Sequence, residues 1–355
     1  MTKHNPLREL SRSGVSVWYD NISRSLIRSG ALKRLIDEDG LTGVTSNPTI
    51  FEKAIGSSHD YDDAIREQAK RGRGAQEIFE SLAIEDIRAA ADLCRPVWES
   101  TGGADGFVSL ELPPALARDG KGSLKEAVRL FGAVDRPNLM IKIPGTAEGL
   151  EAIEGAIAEG IPVNVTLLFA QQRYAEVAEA YLRGLERRAA HGKDLSRVAS
   201  VASFFVSRVD GSVDKALEAR GAKGEPVKDL LGKAAIANAK LAYAKHKKEF
   251  GTPRWKALER AGARPQRLLW ASTSTKNPAY RDVVYCEELI GLDTVNTMPP
   301  ATVDALRDHG ICRPSLEESV EQARGAWSRL GALVDLPRIE KELEEDGLKS
   351  FAKSF

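Results

Sequence analysis

The stretch Leu139–Thr146, LMIKIPGT, places a lysine, Lys142, inside an apolar run typical of a buried strand. Moving an unpaired ammonium out of water costs several kcal/mol, so this group must find a partner, lie at a strand end or lose its proton. A deprotonated lysine amine is a nucleophile that forms a Schiff base with a carbonyl carbon. Pro144 and Gly145 end the strand just after Lys142, at the carboxyl end where parallel α/β folds bind ligands. The structural alternative is a lysine that extends from the strand end into water.

Outward from this stretch, the chain alternates short apolar or β-branched runs with longer helix-patterned segments, as in βα units around a parallel sheet. Eight such runs occur: GVSVWYDN (14–21), GVTSNPTIF (43–51), GFVSLELPP (106–114), LMIKIPGT (139–146), IPVNVTLLF (161–169), VASVASFFVSRVD (198–210), RLLWASTSTKNP (267–278) and DTVNTMPPATVDAL (293–306). A helical excursion from about Tyr61 to Glu99 is longer than one crossover helix needs.

Eight units in 355 residues predict an α/β chain with a single (β/α)8 TIM barrel over residues 1–355. Extra helices are expected between strands 2 and 3, and one at the C-terminus. A doubly wound sheet is disfavoured because no GxGxxG or GxxxxGK[ST] follows any of the runs, which also argues against dinucleotide and P-loop nucleotide sites.

Composition restricts the partners. Lys plus Arg and Asp plus Glu number 51 each, so no overall field favours nucleic acid or an anionic membrane. No apolar run approaches the ~20 residues of a membrane helix, and MTKHNPLRELSR lacks a signal-peptide core. We therefore expect a cytoplasmic protein.

The chain has three cysteines without metal-type spacing, Cys94, Cys286 and Cys312, and we expect them to be reduced thiols.

Polar side chains gather at the predicted strand ends: Asp20, Asn47, Glu111, Lys142, Asn164, Thr166, Ser203, Arg208, Ser274 and Lys276. In a TIM barrel these ends meet at one mouth. In IPVNVTLLF, Asn164 and Thr166 alternate with apolar residues, so they share one face of the strand, and we expect that face to be the inside of the barrel. Each residue alone has a structural alternative, since strand-end carboxylates cap helices, Ser and Thr are turn residues, and Arg208 could pair with Asp210 or Asp214. Together they indicate an active site, because helix caps do not need a buried lysine between two carboxylates.

The histidines point away from metal chemistry. No two of them have metal-ligand spacing, and none falls at a predicted strand end: His4, His59, His191, His246 and His309. We therefore expect no metal, and we assign proton transfer to Asp20 and Glu111 with a water held by Thr166. The predicted chemistry is that of a Schiff-base aldolase.

Four segments, SNPTIF within 43–51, KIPGT with the following AEGLEAI, IPVNVTLLF and SFFVSRVDGSVD, together resemble the transaldolase family in its longer-chain subgroup. The resemblance covers nearly the whole chain. It implies transfer of a dihydroxyacetone unit from sedoheptulose 7-phosphate to glyceraldehyde 3-phosphate, giving erythrose 4-phosphate and fructose 6-phosphate in the pentose phosphate pathway. It implies sugar phosphates as partners and no cofactor.

The resemblance also assigns roles. Lys142 matches the Schiff-base lysine, Asp20 the strand-one acid/base, and Glu111 with Thr166 the pair that holds a catalytic water. The other matches are substrate-binding: Asn47 and Asn164 for the dihydroxyacetone hydroxyls, Ser203 and Phe205 for the strand-six wall, and Arg208, Ser274 and Lys276 for the phosphate end. Lys276 stands where some members have arginine, so a point-charge ammonium replaces a planar guanidinium.

Three alternatives remain open at this stage. The first is a fructose 6-phosphate aldolase-like lyase that releases dihydroxyacetone, and the second is a pyridoxal-phosphate barrel enzyme whose lysine also forms a Schiff base. The third is a non-catalytic phosphosugar-binding barrel. Oligomeric state is not predicted.

The C-terminal segment Leu336–Phe355 has the pattern of a charged helix that ends in GLKSFAKSF. Phe351 and Phe355 are unsuited to a free terminus in water, so we expect them to dock on the barrel.

Overall fold

The computed structural model describes residues 5–222, 224 and 226–355. Its strands form one closed barrel in the order β1 to β8, and each neighbouring pair is parallel. The strands are β1 Val15–Tyr19, β2 Gly43–Val44, β3 Phe107–Glu111, β4 Leu139–Pro144, β5 Val163–Leu168, β6 Ser200–Phe205, β7 Arg267–Ala271 and β8 Thr294–Met298. The predicted (β/α)8 barrel is confirmed.

Helices surround the barrel: α1 Pro6–Arg12, α2 Arg24–Arg28, α3 Ala31–Asp39, α4 Pro48–Gly56, α5 Asp62–Lys70, α6 Ala75–Ser100, α7 Gly120–Val134, α8 Gly149–Glu159, α9 Gln171–Ala190, α10 Ser207–Gly221, α11 Ala234–Glu249, α12 Pro253–Arg260, α13 Val284–Glu288, α14 Pro300–His309, α15 Val320–Leu333 and α16 Leu336–Ser354. The extra helices predicted between strands 2 and 3 are α5 and α6, which follow α4. Within the described residues, none of these helices combines the length and apolarity of a membrane span.

The second strand is shorter than its apolar run because the chain turns into a helix at once. Asn47 caps α4 by accepting a hydrogen bond from the Ile50 amide at 3.0 Å, and Pro48 takes the first helical position, where its missing N–H costs nothing. Only Gly43 and Val44 remain in the ladder. The residues Thr45 to Asn47 are thereby left at the mouth of the barrel.

A tryptophan fills the barrel below the mouth. Trp18 is fully buried, and a side chain on Gly43 of the neighbouring strand would meet its ring at 2.6 Å. The indole therefore fits only because position 43 is glycine. The indole N–H donates to Asp105 at 2.8 Å, which satisfies the buried polar atom at the ring's edge.

The strand that carries Lys142 ends against its own following helix. A side chain on Gly149, the first residue of α8, would come within 2.2 Å of the Pro144 carbonyl oxygen. Such an approach of backbone to backbone requires glycine. It fixes the carboxyl end of β4 and, with it, the depth of Lys142 in the barrel.

The C-terminal helix docks across the barrel, as the sequence predicts. The helix α16 packs on α4, α10 and β5, and its Phe351 is 5% exposed. Phe355 is 47% exposed but packs edge-on against Phe79 with ring centroids 5.3 Å apart. Thr49 of α4 and Ser354 of α16 share a hydrogen bond of 2.8 Å. The tail is an integral part of the fold.

We expect Phe351→Ala to lower the free energy of unfolding by about 3 kcal/mol, because it leaves a cavity beneath α16. The matched variant Phe355→Ala removes a half-exposed ring and should cost under about 1 kcal/mol. Urea unfolding of both variants tests this expectation. Equal losses, or no loss for Phe351→Ala, would mean that α16 is only loosely attached.

Candidate functional site

A cavity of about 190 Å³ opens at the carboxyl ends of the strands. Most of its lining residues are polar or charged, and the others are aromatic, proline and alanine. The residues are Asp20, Thr45, Asn47, Lys142, Thr166, Ser203, Phe205, Arg208, Ala271, Ser272, Ser274, Lys276, Thr297, Pro299 and Phe351. Of the predicted site residues, the structure brings all but Glu111 and Asn164 to this lining, and those two lie directly beneath it.

Lys142 lies at the base of the cavity and is 5% exposed. Its ammonium nitrogen is 3.0 Å from Glu111 Oε2 and donates to the Ser46 carbonyl oxygen at 3.0 Å. The ion pair follows from the strand register, which aligns Glu111 with Lys142 across β3 and β4. The Phe351 ring lies 6.0 Å from the same nitrogen and covers it from above. Of the alternatives for this lysine, partnered burial is the one observed.

Among the described residues, the buried hydroxyl oxygen of Thr166, which lines the cavity, has no hydrogen-bond partner. Glu111 Oε2, which is also buried, is satisfied by the Lys142 ammonium at 3.0 Å. Unsatisfied polar atoms at this depth are costly and rare in proteins, so they mark a place where a polar ligand or water is bound. Burial raises the pKa of Glu111, the Lys142 ammonium opposes that rise, and Asp20 adds to it.

Asp20 stands on the opposite wall, one residue beyond β1. Its Oδ1 accepts a hydrogen bond of 2.6 Å from the Thr45 hydroxyl. Burial raises the pKa of Asp20, while Lys142, Thr45, Arg208 and Lys276 all act to lower it. A carboxylate with a raised pKa that borders a cavity is suited to accept and return a proton near neutral pH.

The two predicted amide side chains occupy different depths. Asn47 lines the cavity while its Oδ1 caps α4, so its amide nitrogen can face a ligand. Asn164 is fully buried below: its amide donates to Ser109 Oγ at 3.0 Å, and its Oδ1 accepts from Ser203 Oγ at 2.6 Å. The interior face predicted for Asn164 is confirmed. Its hydrogen bonds hold Ser203 at the cavity wall.

Cationic side chains line the outer part of the cavity. Arg208 lies 5.3 Å above the Phe205 ring, and Lys276 donates to Ser274 Oγ at 2.7 Å. Burial lowers the pKa of both cations, and Arg208 further lowers that of Lys276. The two like charges repel each other, so an anion placed between them would be stabilised.

Two tyrosine–aspartate hydrogen bonds hold these cations together. Arg208 is the second residue of α10, and the same helix carries Asp210 and Asp214. Tyr285 donates to Asp210 at 2.8 Å, and Tyr280, on the loop that carries Lys276, donates to Asp214 at 2.7 Å. The aspartates that the sequence offered as ion-pair partners of Arg208 thus fasten the Lys276 loop to the helix of Arg208.

Backbone strain occurs at two points of the mouth. Leu167 and Ser272 adopt left-handed φ values of 60° and 56°, which non-glycine residues seldom take. Leu167 sits where the register of β5 against β6 shifts, directly after Thr166. Ser272 lines the cavity itself and accepts a backbone hydrogen bond from Ser207 at 3.0 Å. Such strain collects at functional sites, where the surrounding packing enforces it.

Several lining residues were not predicted: Thr45, Ala271, Ser272, Thr297, Pro299 and Phe351. In the sequence, Thr45 and Thr297 look like ordinary β-branched strand residues, and only their position at a strand end distinguishes them.

None of the four described histidines lines the cavity, and His4 lies outside the described residues. His246 is buried on α11 against the Tyr174 hydroxyl at 2.9 Å, and burial lowers its pKa to about 4.

Taken together, the cavity offers a buried lysine amine, two carboxylates with raised pKa values, hydroxyl and amide groups, and a cationic rim. This set can form a covalent bond to a carbonyl carbon, move protons beside it and hold an anionic group at a distance.

Comparison with known proteins agrees with this chemistry. The sequence profile of the family described as Transaldolase/Fructose-6-phosphate aldolase matches residues 17–355. A transaldolase of Trichodesmium erythraeum is 48% identical over 99% of this chain and 95% of its own, and one of Thermobifida fusca is 50% identical over 99% and 95%. A transaldolase of Mycobacterium bovis is 46% identical over 100% of this chain and 96% of its own.

We expect Lys142→Met to make stability more sensitive to pH. The pKa of Glu111 already lies above its ordinary 4.5 in the folded state. Stability from such a group is complete below the ordinary pKa and is lost as pH rises through the folded pKa. Without the ammonium the folded pKa rises further, so the loss between about pH 5 and pH 8 should grow, by about 1.4 kcal/mol for each tenfold gain in proton affinity.

The double variant Lys142→Met/Glu111→Gln is the matched control, because it keeps Asp20 and removes only the Glu111 titration. Its free energy of unfolding, measured with urea across this range, should fall less steeply than that of the single variant. Parallel curves would show that titration of Glu111 does not cause the pH dependence of the single variant.

Proposed function

The chain belongs to the transaldolase/fructose-6-phosphate aldolase family, and we propose that it carries out the family's transfer chemistry with Lys142 as the Schiff-base lysine. It is an enzyme with transaldolase activity: it moves a dihydroxyacetone unit from sedoheptulose 7-phosphate to glyceraldehyde 3-phosphate and yields erythrose 4-phosphate and fructose 6-phosphate. The observation that carries the residue assignment is the buried Lys142 amine at the base of the cavity, 3.0 Å from Glu111 Oε2.

In the first step, the Lys142 amine attacks the ketose carbonyl and the resulting carbinolamine loses water to form an iminium ion. The amine must first give up a proton, and Glu111, with its raised pKa, is the nearby acceptor. The unpartnered Thr166 hydroxyl, together with the Glu111 carboxylate at the Lys142 nitrogen, supports the proposal that this pair holds the water that carries the protons.

In the second step, the iminium ion accepts the electrons of the C3–C4 bond while Asp20 takes the proton of the C4 hydroxyl. The aldose leaves, and the three-carbon unit stays on Lys142 as an enamine. The acceptor aldehyde then binds, the enamine carbon attacks its carbonyl carbon, and Asp20 returns the proton to the new C4 oxygen. Water finally releases the product ketose from Lys142.

Transfer requires that the enamine survive until the acceptor arrives. Asn47 and Ser203 border the place of the dihydroxyacetone hydroxyls, and Asn164 holds Ser203. Phe351 covers the Lys142 nitrogen and limits the access of water from above. The lyase alternative, release of dihydroxyacetone, is separated by assaying free dihydroxyacetone from fructose 6-phosphate in the absence of an acceptor.

The proposal extends to the setting of the enzyme. We assign sugar phosphates as its small-molecule partners and the cytoplasm as its location, and we treat residues 1–355 as one barrel domain. The continuous hydrophobic core that spans the barrel and the C-terminal helix supports the last point.

Borohydride added with fructose 6-phosphate should reduce the iminium bond and leave a three-carbon adduct on the peptide that contains Lys142. Lys142→Arg should be nearly inactive, because guanidinium stays protonated. Asp20→Asn should still form the trapped adduct, yet its turnover should fall by about 10²–10⁴-fold for want of a proton acceptor. Mass spectrometry of the digested protein and a coupled assay measure both. Trapping at another lysine, or full turnover in Lys142→Arg, would refute the assignment.

Arg208 and Lys276 are proposed to bind the terminal phosphate. A charge-assisted contact is worth about 1.5–3 kcal/mol, so Arg208→Ala or Lys276→Ala should raise KM for glyceraldehyde 3-phosphate by roughly 10–100-fold. KM for unphosphorylated glyceraldehyde should change little. Lys276→Arg retains the charge and serves as the control. Equal losses with both acceptors would remove phosphate binding from the explanation.

A further inference from the structure

Three side chains from neighbouring parts of the barrel form a continuous hydrogen-bonded row beside the cavity. Thr297 Oγ1 of β8 lies 2.6 Å from Thr45 Oγ1, which in turn lies 2.6 Å from Asp20 Oδ1. The strand β1 lies between β2 and β8. Thr45, one residue beyond β2, bonds Asp20 directly, and Thr297 of β8 reaches Asp20 only through Thr45. Both threonines are buried, at 2% and 3% exposure, and both border the cavity.

The direction of this row follows from the proton count. An ionised carboxylate has no proton to donate, so Thr45 must donate its single hydroxyl proton to Asp20. Thr45 then has only lone pairs left for Thr297, and Thr297 must be the donor of the second bond. Every hydroxyl proton in the row therefore points towards Asp20.

We propose that Thr297 is a positioning residue for the proton transfer at Asp20: acting through Thr45, it fixes Oδ1 as a hydrogen-bond acceptor and reserves the second carboxylate oxygen for the C4 hydroxyl of the substrate. This inference rests on the proposed function of Asp20. Thr297 does not itself exchange a proton with the substrate in this scheme.

The same row keeps the transferred proton in place. When bond cleavage puts the C4 hydroxyl proton on the second oxygen of Asp20, the proton must remain there until the acceptor aldehyde takes it back. Since both hydroxyl protons point towards Asp20, the row cannot relay this proton away from the carboxyl group unless both hydroxyls rotate. The carboxylic acid thus returns to the carboxylate only when the new carbon–carbon bond forms.

The charges that face Asp20 and its burial set the expected pH dependence. Lys142, Arg208 and Lys276 favour its ionised form, while burial disfavours it. Loss of the Thr45 hydrogen bond, or its weakening through loss of Thr297, removes a group that favours ionisation. The acidic limb of the kcat profile should therefore move to higher pH.

We expect Thr297→Val, which keeps the shape of the side chain, to lower kcat at neutral pH by about 3–10-fold and to shift the acidic limb upwards. KM for fructose 6-phosphate and borohydride trapping at Lys142 should stay within about twofold of the unaltered enzyme, because carbonyl attack does not use this row. Thr297→Ser restores the hydroxyl and should restore both kcat and the pH profile. Thr294→Val, on the same strand but bonded to the Gly291 carbonyl at 2.8 Å, is the matched control.

A double-variant cycle separates action through Thr45 from any independent effect. Thr45→Val should cost about 10–100-fold in kcat, and adding Thr297→Val should cost nothing further. Losses that multiply, an unmoved pH profile in Thr297→Val, or a loss that Thr297→Ser does not recover would overturn the proposal. Absence of trapping at Lys142 in the unaltered enzyme would instead overturn the proposed function.

Discussion

The burial of one ammonium group is the constraint on which the site depends. Lys142 lies at the base of the barrel mouth, where water cannot solvate its charge, and the adjacent strand supplies Glu111 in register as its counter-ion. The same low-dielectric surroundings raise the pKa of Glu111 and of Asp20. Lys142 offsets part of the cost of burying each carboxylate, while Asp20 adds to the cost of ionising Glu111, so the three groups form one electrostatic unit. On the proposed assignment, these coupled groups are the nucleophile and the two acid–base residues.

The rim of the cavity presents the opposite problem, because Arg208 and Lys276 carry the same charge. Their repulsion is opposed by the rigid backbone of α10, to which Arg208 belongs. The hydrogen bonds of Tyr280 and Tyr285 to aspartates of that helix oppose it as well. The free site is held in a shape that an anion stabilises. On the proposed assignment of Arg208 and Lys276 to the phosphate, affinity comes from relief of repulsion as well as from direct contact, and an ammonium at position 276 can supply both.

The sequence predicts those parts of the site that local chemistry determines. A lysine in an apolar run, carboxylates before strand breakers and the period-two pattern of Asn164 and Thr166 place these residues correctly, because strand ends of a parallel barrel must converge. It does not predict depth or partners. Asn164 faces the interior as expected, yet its amide is taken up by two serines below the cavity. Thr297 meets Thr45 only because β8 closes the barrel against β1, a contact between residues remote in the chain.

Barrel closure also bears on the difference between a transferase and a lyase. A lyase results when the enamine gains a proton before the acceptor arrives, so the enzyme must restrict every nearby proton source. Phe351 limits bulk water above Lys142, and the hydroxyl row from Thr297 leaves Asp20 one oxygen with which to hold its proton. Glu111 is the other acidic group beside the lysine, and it is held in an ion pair with Lys142. Retention of the three-carbon unit is thus a property of how hydrogen bonds and an aromatic cover are arranged, and family members that share the lysine can differ in outcome through these surroundings alone.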